Sequence, residues 1–396
     1  MRVTYVAHTR FPTEKAHGFQ IASICGALAH LSHAVTLLTP KVANGITHDA
    51  FDYYGIERNF EVQQLPSFDA LSSSLVPGSL AFLVSMASYR RRLREYLSRH
   101  RSDLFYARSP SVLPPLLASG IPVILELHTL PRRSKRRFVA LCNRCVRVVC
   151  LTSPMRDALV SWGVDPSKMI VEADAVDLSR FEHLPSMDEA KEEWDLPCDV
   201  PIIGYVGSLV TQEKIEKGVR ELLDACAILH DRDRRFRLWI VGGPNSAIDR
   251  LKQHAVTQGL EHCARFEGSI SATRVPSALA ACDICVYPAP QSSHPYFQRD
   301  TSPLKMFEYL AARRPIVSAD LPPLRDIVDE DIVRFCRPGD PQSLAHAIID
   351  VLDHPSEASM RVQSGWEVVQ HHSWEERMER VWDQLQCRSE EFLDNR

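Results

Sequence analysis

The sequence predicts an α/β protein built on two doubly wound parallel sheets. Three observations carry that reading. Short apolar runs alternate with helical patterns along the whole chain, which is the signature of βαβ units. The runs fall into two series separated by a charged, strand-poor stretch. With 396 residues the chain is also too long for one ordinary core, so two domains are expected.

The first series of strand candidates is VTYVA (3–7), AVTLLT (34–39), DLFYAR (103–108), PVILELH (122–128), VRVVCLT (146–152) and MIVEADAV (169–176). The second is PIIGYVGS (201–208), RLWIVGG (237–243), ARFEGS (264–269), ICVYPA (284–289), PIVSAD (315–320) and VRFCRP (333–338). Between them lie helical stretches such as FQIASICGALAHL, GVRELLDACAIL and LAHAIIDVLDH. The expected domains are Rossmann-like and face each other across a cleft. The first covers 1–178, a linker covers 179–200, and the second covers 201–372. An amphipathic helix in 373–396 is expected to return toward the first domain; Ser373 with Glu376 has the spacing of a capping box. In such sheets ligands bind beyond the carboxyl ends of the strands. The loops after VTYVA, PVILELH, PIIGYVGS, RLWIVGG and ICVYPA are therefore the expected site walls.

Composition narrows the class. With 45% hydrophobic and 24% charged residues the chain reads as an ordinary soluble protein, and no run is long and apolar enough for a membrane span. The start, MRVTYVAHTR, reads as a strand and not as a signal peptide. Eleven cysteines, mostly in apolar runs and without paired zinc spacing, read as reduced thiols of a cytoplasmic protein. His371-His372 lacks a third ligand, so no metal is expected. Residues 1–178 hold 21 basic and 14 acidic residues, net +7, against 25 and 36, net −11, in the remainder. The basic excess is concentrated in YRRRLREYLSRHR (89–101) and PRRSKRRF (131–138). Those runs are either solvated helix faces or a surface for a polyanionic acceptor or for anionic lipid headgroups, the last of which would put the protein on the inner face of a membrane. Nucleic acid is not expected, since the runs have few stacking aromatics and the whole chain carries −4.

The chemistry concentrates in RDTSPLKMFEYLAARRPIV (299–317). Leu304, Phe307 and Ala311 set an apolar helical stripe, and Glu308 falls on it. An ionised carboxylate there needs a partner. Ser302 reads as an N-cap and Pro303 as a first-turn residue. A helix start aims N–H groups and a positive dipole end at any phosphate. Phosphate at the start and a ribose diol on Glu308 would lay one nucleotide diphosphate along the helix. Asp300, in the loop, could reach a third group. The plainer reading pairs Glu308 with Arg313 or Arg314. A second stretch, YVGSLVTQEKIEKGVRELLDA (205–225), ends a strand at Gly207 and places Lys217-Gly218 before a helix. There the lysine can meet a diphosphate as a point charge. IVGGP (240–244), with Gly243, is a third strand-to-glycine turn.

Taken together these motifs resemble glycosyltransferase family 4. The acidic pair Asp300 and Glu308, the GSL…KG…LLDA, IVGGP and VEADAVDLSRF segments, FPTEKAHGFQ, ELH and the terminal SWEERMERVW follow the family's order. The resemblance implies a GT-B fold and transfer of a sugar from a nucleotide-sugar donor with retained configuration, without a required cofactor or metal. It assigns Glu308 to the ribose, Asp300 to the donor sugar, and Thr301, Ser302, Pro303 and Leu304 to the phosphates, where Pro303 cannot donate. It assigns Lys217 to the diphosphate and His128 to the sugar and phosphate. Gly207, Ser208 and Gly243 join the donor site, and Gly18 is the glycine of the first loop. His17 and Arg108 are candidate acceptor or donor contacts. The expected reaction delivers a hexose, from UDP in preference to GDP, to a glycan or lipid-linked acceptor, in surface polysaccharide or glycoconjugate synthesis.

The chain departs from the family pattern in several places. The first acid is Asp, Ser208 stands where many members have arginine, and Ala175 and Arg313 replace glycines. The span from Gly207 to Lys217 is longer than usual, so a bulge is expected there. Rival readings are a nucleotide-sugar epimerase, which would give a new epimer without acceptor, and a non-catalytic scaffold, which would bind polyanions without turnover.

Overall fold

The computed structural model describes residues 1–42, 45–68, 78–211 and 215–386. The chain forms two compact units, one of residues 1–173 with the segment from Trp374 onward, the other Asp174–Ser373.

The first unit is a seven-stranded parallel sheet: β1 (Arg2–Val6), β2 (Ala34–Lys41), β3 (Glu61–Pro66), β4 (Leu104–Ala107), β5 (Val123–Leu127), β6 (Arg147–Cys150) and β7 (Met169–Val171), in the order β3-β2-β1-β4-β5-β6-β7. Strands β4, β5 and β6 are buried at every residue, as parallel strands covered on both faces must be. β3 was not expected. Its EVQQLP sequence pairs as an edge strand through Thr36↔Glu61 to Lys41↔Pro66. MIVEADAV forms a strand only over its first three residues.

The second unit is a six-stranded parallel sheet: β8 (Ile202–Val206), a short ribbon β9 (Val210–Thr211) and β10 (Ile215–Glu216), then β11 (Arg237–Val241), β12 (Ala264–Glu267), β13 (Ile284–Tyr287), β14 (Ile316–Ala319) and β15 (Arg334–Cys336). The sheet order is β12-β11-β8-β13-β14-β15, and the ribbon stands apart from it. Both sheets therefore reverse direction beside their first strand, between β1 and β4 and between β8 and β13. The carboxyl ends at such a switch point are where an open α/β sheet leaves room for a ligand.

The boundaries differ from those expected. Residues 179–200 are not a linker but part of the second unit. Phe181 and Trp194 are buried there, and helix Met187–Glu193 carries a capping box between Ser186 and Glu189. Lys191 Nζ joins Asp283 at 2.8 Å. The chain crosses between units at 173/174 and 373/374, and inside the second unit those crossings meet, with Val176 N donating to His372 O at 2.9 Å. Helix Trp374–Gln386 belongs to the first unit and packs on helix Ala16–His30. The rest of the expected terminal segment, 387–396, lies outside the described residues, as do residues 212–214 of the expected bulge. No described helix is long and apolar enough to cross a membrane.

Candidate active site

In the second unit the site grows from the switch point. β8 runs into Gly207 at φ +149°, β11 into Gly242 at φ +145°. A Cβ on Gly242 would lie 1.9 Å from Gly207 O, so the two turns approach each other only as glycines. Gly243 O accepts from Leu209 N at 3.0 Å and holds the β8 loop. Ser208 is exposed, its hydroxyl donating to Val210 O at 2.6 Å. Gly218, at φ +84°, caps helix Val219–Asp231 with no room for a Cβ against Ala289 N. Beside it, the Lys217 ammonium lies 5.8 Å from the centre of the Tyr296 ring.

Helix Leu304–Ala311 carries the acid. Its cap differs from the expected one. Pro303 is the N-cap residue and no side chain closes the first turn. Ser302, just before it, instead accepts from Asp174 N at 2.9 Å. The leading N–H groups at Leu304 and Lys305 therefore have no side-chain cap. Thr301 is buried, and Asp300, also nearly buried, is held by Arg299 at 2.6 Å.

Glu308 lies half-buried one turn further in. Arg313 does not pair with it but stacks on Trp366 at 3.8 Å, and no ion pair joins it to Arg314. Its one cation within ion-pair distance is Arg180, at 3.8 Å, and among the described residues no hydrogen bond reaches its carboxylate. Burial raises its pKa against the pull of Arg180 and Lys305. Arg180 sits in the VEADAVDLSRF motif, which marked the place without marking the residue. The first turn of the helix also carries Lys305. It is 9% exposed, donates to Tyr205 Oη at 2.9 Å, and lies against the faces of Tyr205 and Tyr287 at 4.1 and 4.4 Å.

In the first unit the corresponding carboxyl ends carry a different cluster. Arg108 follows β4 and His128 follows β5. His128 Nε2 lies 2.8 Å from Glu126 Oε1 and 2.6 Å from Arg108 Nη1, so it can donate to one or accept from the other. Arg108 also donates to Gln20 Oε1 at 2.6 Å. Burial, then the Arg108 charge, lowers His128 to about 4 against the pull of Glu126. His17 falls to about 4 for the same two reasons, with its Nε2 2.8 Å from Thr9 Oγ1.

Sequence reasoning missed Glu126. It is wholly buried, accepts from the Tyr106 hydroxyl, and pairs with the wholly buried Arg377 of the terminal helix at 3.1 Å. Burial alone would raise it. The Arg377 charge and the hydrogen bonds from His128 and Tyr106 outweigh that and hold it far below the ordinary range. The only available signal was an acid inside an otherwise apolar strand. Gly18 is not a loop residue. It lies in helix Ala16–His30, and the place of its Cβ is filled by the Tyr54 hydroxyl at 2.0 Å, which clamps Thr13.

Comparison with known proteins fits this layout. The model described as Glycosyltransferase Family 4 matches residues 18–180, and the one described as Glycosyl transferases group 1 matches 200–354. A D-inositol 3-phosphate glycosyltransferase of Corynebacterium glutamicum (strain R) is 26% identical over 331 residues, 77% of this chain and 75% of that one. A glycogen synthase of Mycobacterium tuberculosis (strain CDC 1551 / Oshkosh) is 24% identical over 369 residues, 88% and 84% of the two chains. Among solved structures, a sucrose-phosphate synthase from Thermosynechococcus elongatus superposes with TM-score 0.75 at 17% identity, covering 98% of this chain and 99% of that one. Anabaena HepE in complex with UDP-glucose does so with TM-score 0.71 at 18% identity, covering 97% and 99%.

Proposed function

This chain belongs to glycosyltransferase family 4 and has the GT-B fold, and from that premise we propose a specific reaction: retaining transfer of a hexose from a nucleotide diphosphate sugar, UDP in preference to GDP, to a hydroxyl of a glycan or lipid-linked acceptor. The observation that carries the reading is Glu308, a half-buried carboxylate that no hydrogen bond reaches among the described residues, one turn inside a helix whose first N–H groups have no side-chain cap. A ribose diol supplies the two donors the carboxylate lacks. Leu304 and Lys305 N–H groups, with the dipole end, suit the phosphates. UDP is favoured because a protein of the same fold was solved with UDP-glucose.

The chemistry follows from where charge develops. As the glycosidic bond breaks, the leaving diphosphate gains negative charge. Lys217 and the helix N–H groups stabilise it. Retention is best accounted for by same-face attack, in which the leaving phosphate accepts the acceptor's proton. His128, kept neutral by burial and Arg108, steadies the sugar and phosphate and is not an obligate base.

The acceptor side rests on the first unit's surface. Helix Gly78–Leu97 exposes Leu80, Phe82, Leu83 and Val84 near its start and Arg91, Arg92 and Arg94 further along. Residues 132–137 are exposed as well, and the Arg90 guanidinium feels the charge of Arg137. Apolar side chains beside clustered arginines match an anionic bilayer, so the protein is read as cytoplasmic and peripheral on the membrane's inner face. Vesicles with and without anionic lipid test this; equal binding to both would remove it.

Calorimetric titration of UDP, GDP and ADP into wild type and Glu308→Ala tests the donor reading. One nucleotide should bind the wild type and not the variant. Equal affinity for the variant would end the ribose assignment.

A further inference from the structure

Lys305 is a buried amine that forms no ion pair with an acid among the described residues. Its ammonium nitrogen has one hydrogen bond, to the neutral hydroxyl of Tyr205, which itself donates to Ser208 O at 2.6 Å. Tyr205 from β8 and Tyr287 from β13 cover it with ring faces, 4.1 and 4.4 Å away. Its stem passes Gly207, where a Cβ would stand 3.2 Å from Lys305 Cδ. The charged groups that reach it electrostatically are Lys217, which repels a proton, and Glu308 on its own helix, which attracts one. Among the described residues no carboxylate lies within ion-pair distance of Lys305. Aromatic faces attract a cation, but by about 2 kcal/mol when desolvated, less than the several kcal/mol of burying an ion. Burial is the first cause of a pKa well below the ordinary lysine value, the Lys217 charge the second, with Glu308 opposing both.

The geometry points to Lys305 as a proton-coupled reader of the donor's diphosphate: neutral among the tyrosines when the site is empty, and converted to an ammonium by one proton from solvent when the diphosphate arrives. The inference rests on the reading of this site as the donor site. The arriving dianion adds the negative charge that the cage lacks and offsets the repulsion from Lys217. The balance is one amine, one proton from water or buffer and one ammonium, with no bond of the nucleotide changed. Donor affinity then depends on proton supply. Between the empty-site pKa of Lys305 and its higher diphosphate-bound pKa, binding takes up a proton and weakens as pH rises. Below the empty-site pKa the amine is already charged and the uptake disappears.

The experiment is calorimetric titration of UDP into the full chain at about pH 8, in buffers of widely different ionisation enthalpy. At that pH the terminal phosphate of UDP, with a pKa of about 6, is already ionised and contributes little. A slope of observed enthalpy against buffer enthalpy near one proton taken up is expected. Lys305→Met should bind roughly tenfold or more weakly and show no uptake. Lys305→Arg, permanently charged, should also show none while keeping more affinity than Lys305→Met. Wild-type binding with zero slope overturns the inference and leaves the donor reading standing. Uptake unchanged in Lys305→Arg or Lys305→Met overturns it as well, by assigning the proton elsewhere. If no nucleotide binds, the donor reading falls and this inference with it.

Discussion

The two units treat buried charge in opposite ways. In the first, Glu126 is fully enclosed and fully engaged, by Arg377, His128 and Tyr106. In the second, Glu308 has one cation at 3.8 Å and Lys305 has one neutral hydroxyl. A closed network stabilises the fold and holds a side chain in place. An open one costs stability until something supplies the missing partners. The difference separates a closed positioning network from an open site of the kind a ligand could complete, within one molecule.

The contrast can be broken most forcefully at Arg377. Arg377→Met leaves Glu126 buried without its cation, and unfolding free energy should fall by about 3–5 kcal/mol in chemical denaturation. A loss below about 1 kcal/mol would mean the network is not what holds the terminal helix. Glu308→Ala should behave in reverse. Its stability should stay within about 1 kcal/mol of wild type or rise, while UDP affinity drops by about 3 kcal/mol, roughly 100-fold. A large loss of stability there would make Glu308 structural. His128→Ala sharpens the comparison kinetically: kcat should fall about 100-fold while UDP affinity hardly changes. The smallest effect is on pH dependence. His128 and His17 are buried neutral, near 4 when folded against 6.5 in the unfolded chain. Between those values the unfolded chain binds more protons, so their contribution is complete above about pH 6.5 and is lost as pH falls toward about 4. The thermal midpoint should decline across that window, and His128→Gln should flatten the decline in part, leaving the share of His17.

Twelve strands were legible because each opens on or contains a short apolar run, and the central ones, such as β4, β5, β8 and β13, are buried at every residue as parallel strands covered on both faces must be. EVQQLP was not, since an edge strand with two glutamines lacks that pattern. Glu308 was legible as an acid on an apolar stripe, but its cation was not, because Arg180 lies 128 positions away and only folding brings it near. The Ser302 cap failed for a related reason. Local pattern assigns a hydroxyl to the nearest helix, and a backbone N–H from Asp174 claimed it first. Lys305 shows the limit most clearly. By pattern alone a first-turn lysine faces either an anion or solvent, and only β8 and β13 side by side put two tyrosines over it.

The order of the chain has a consequence for synthesis. Glu126 is made early and Arg377 is made 251 residues later, after the whole second unit. While the ribosome is still translating that unit, the first sheet can assemble only around an acid without its cation, so its carboxyl is either protonated or left in water. The N-terminal unit thus reaches its final packing among the last events of folding, when the terminal helix emerges and lays Arg377 against β5. A nascent chain stalled before Trp374 would carry all of the second unit and an unfinished first one.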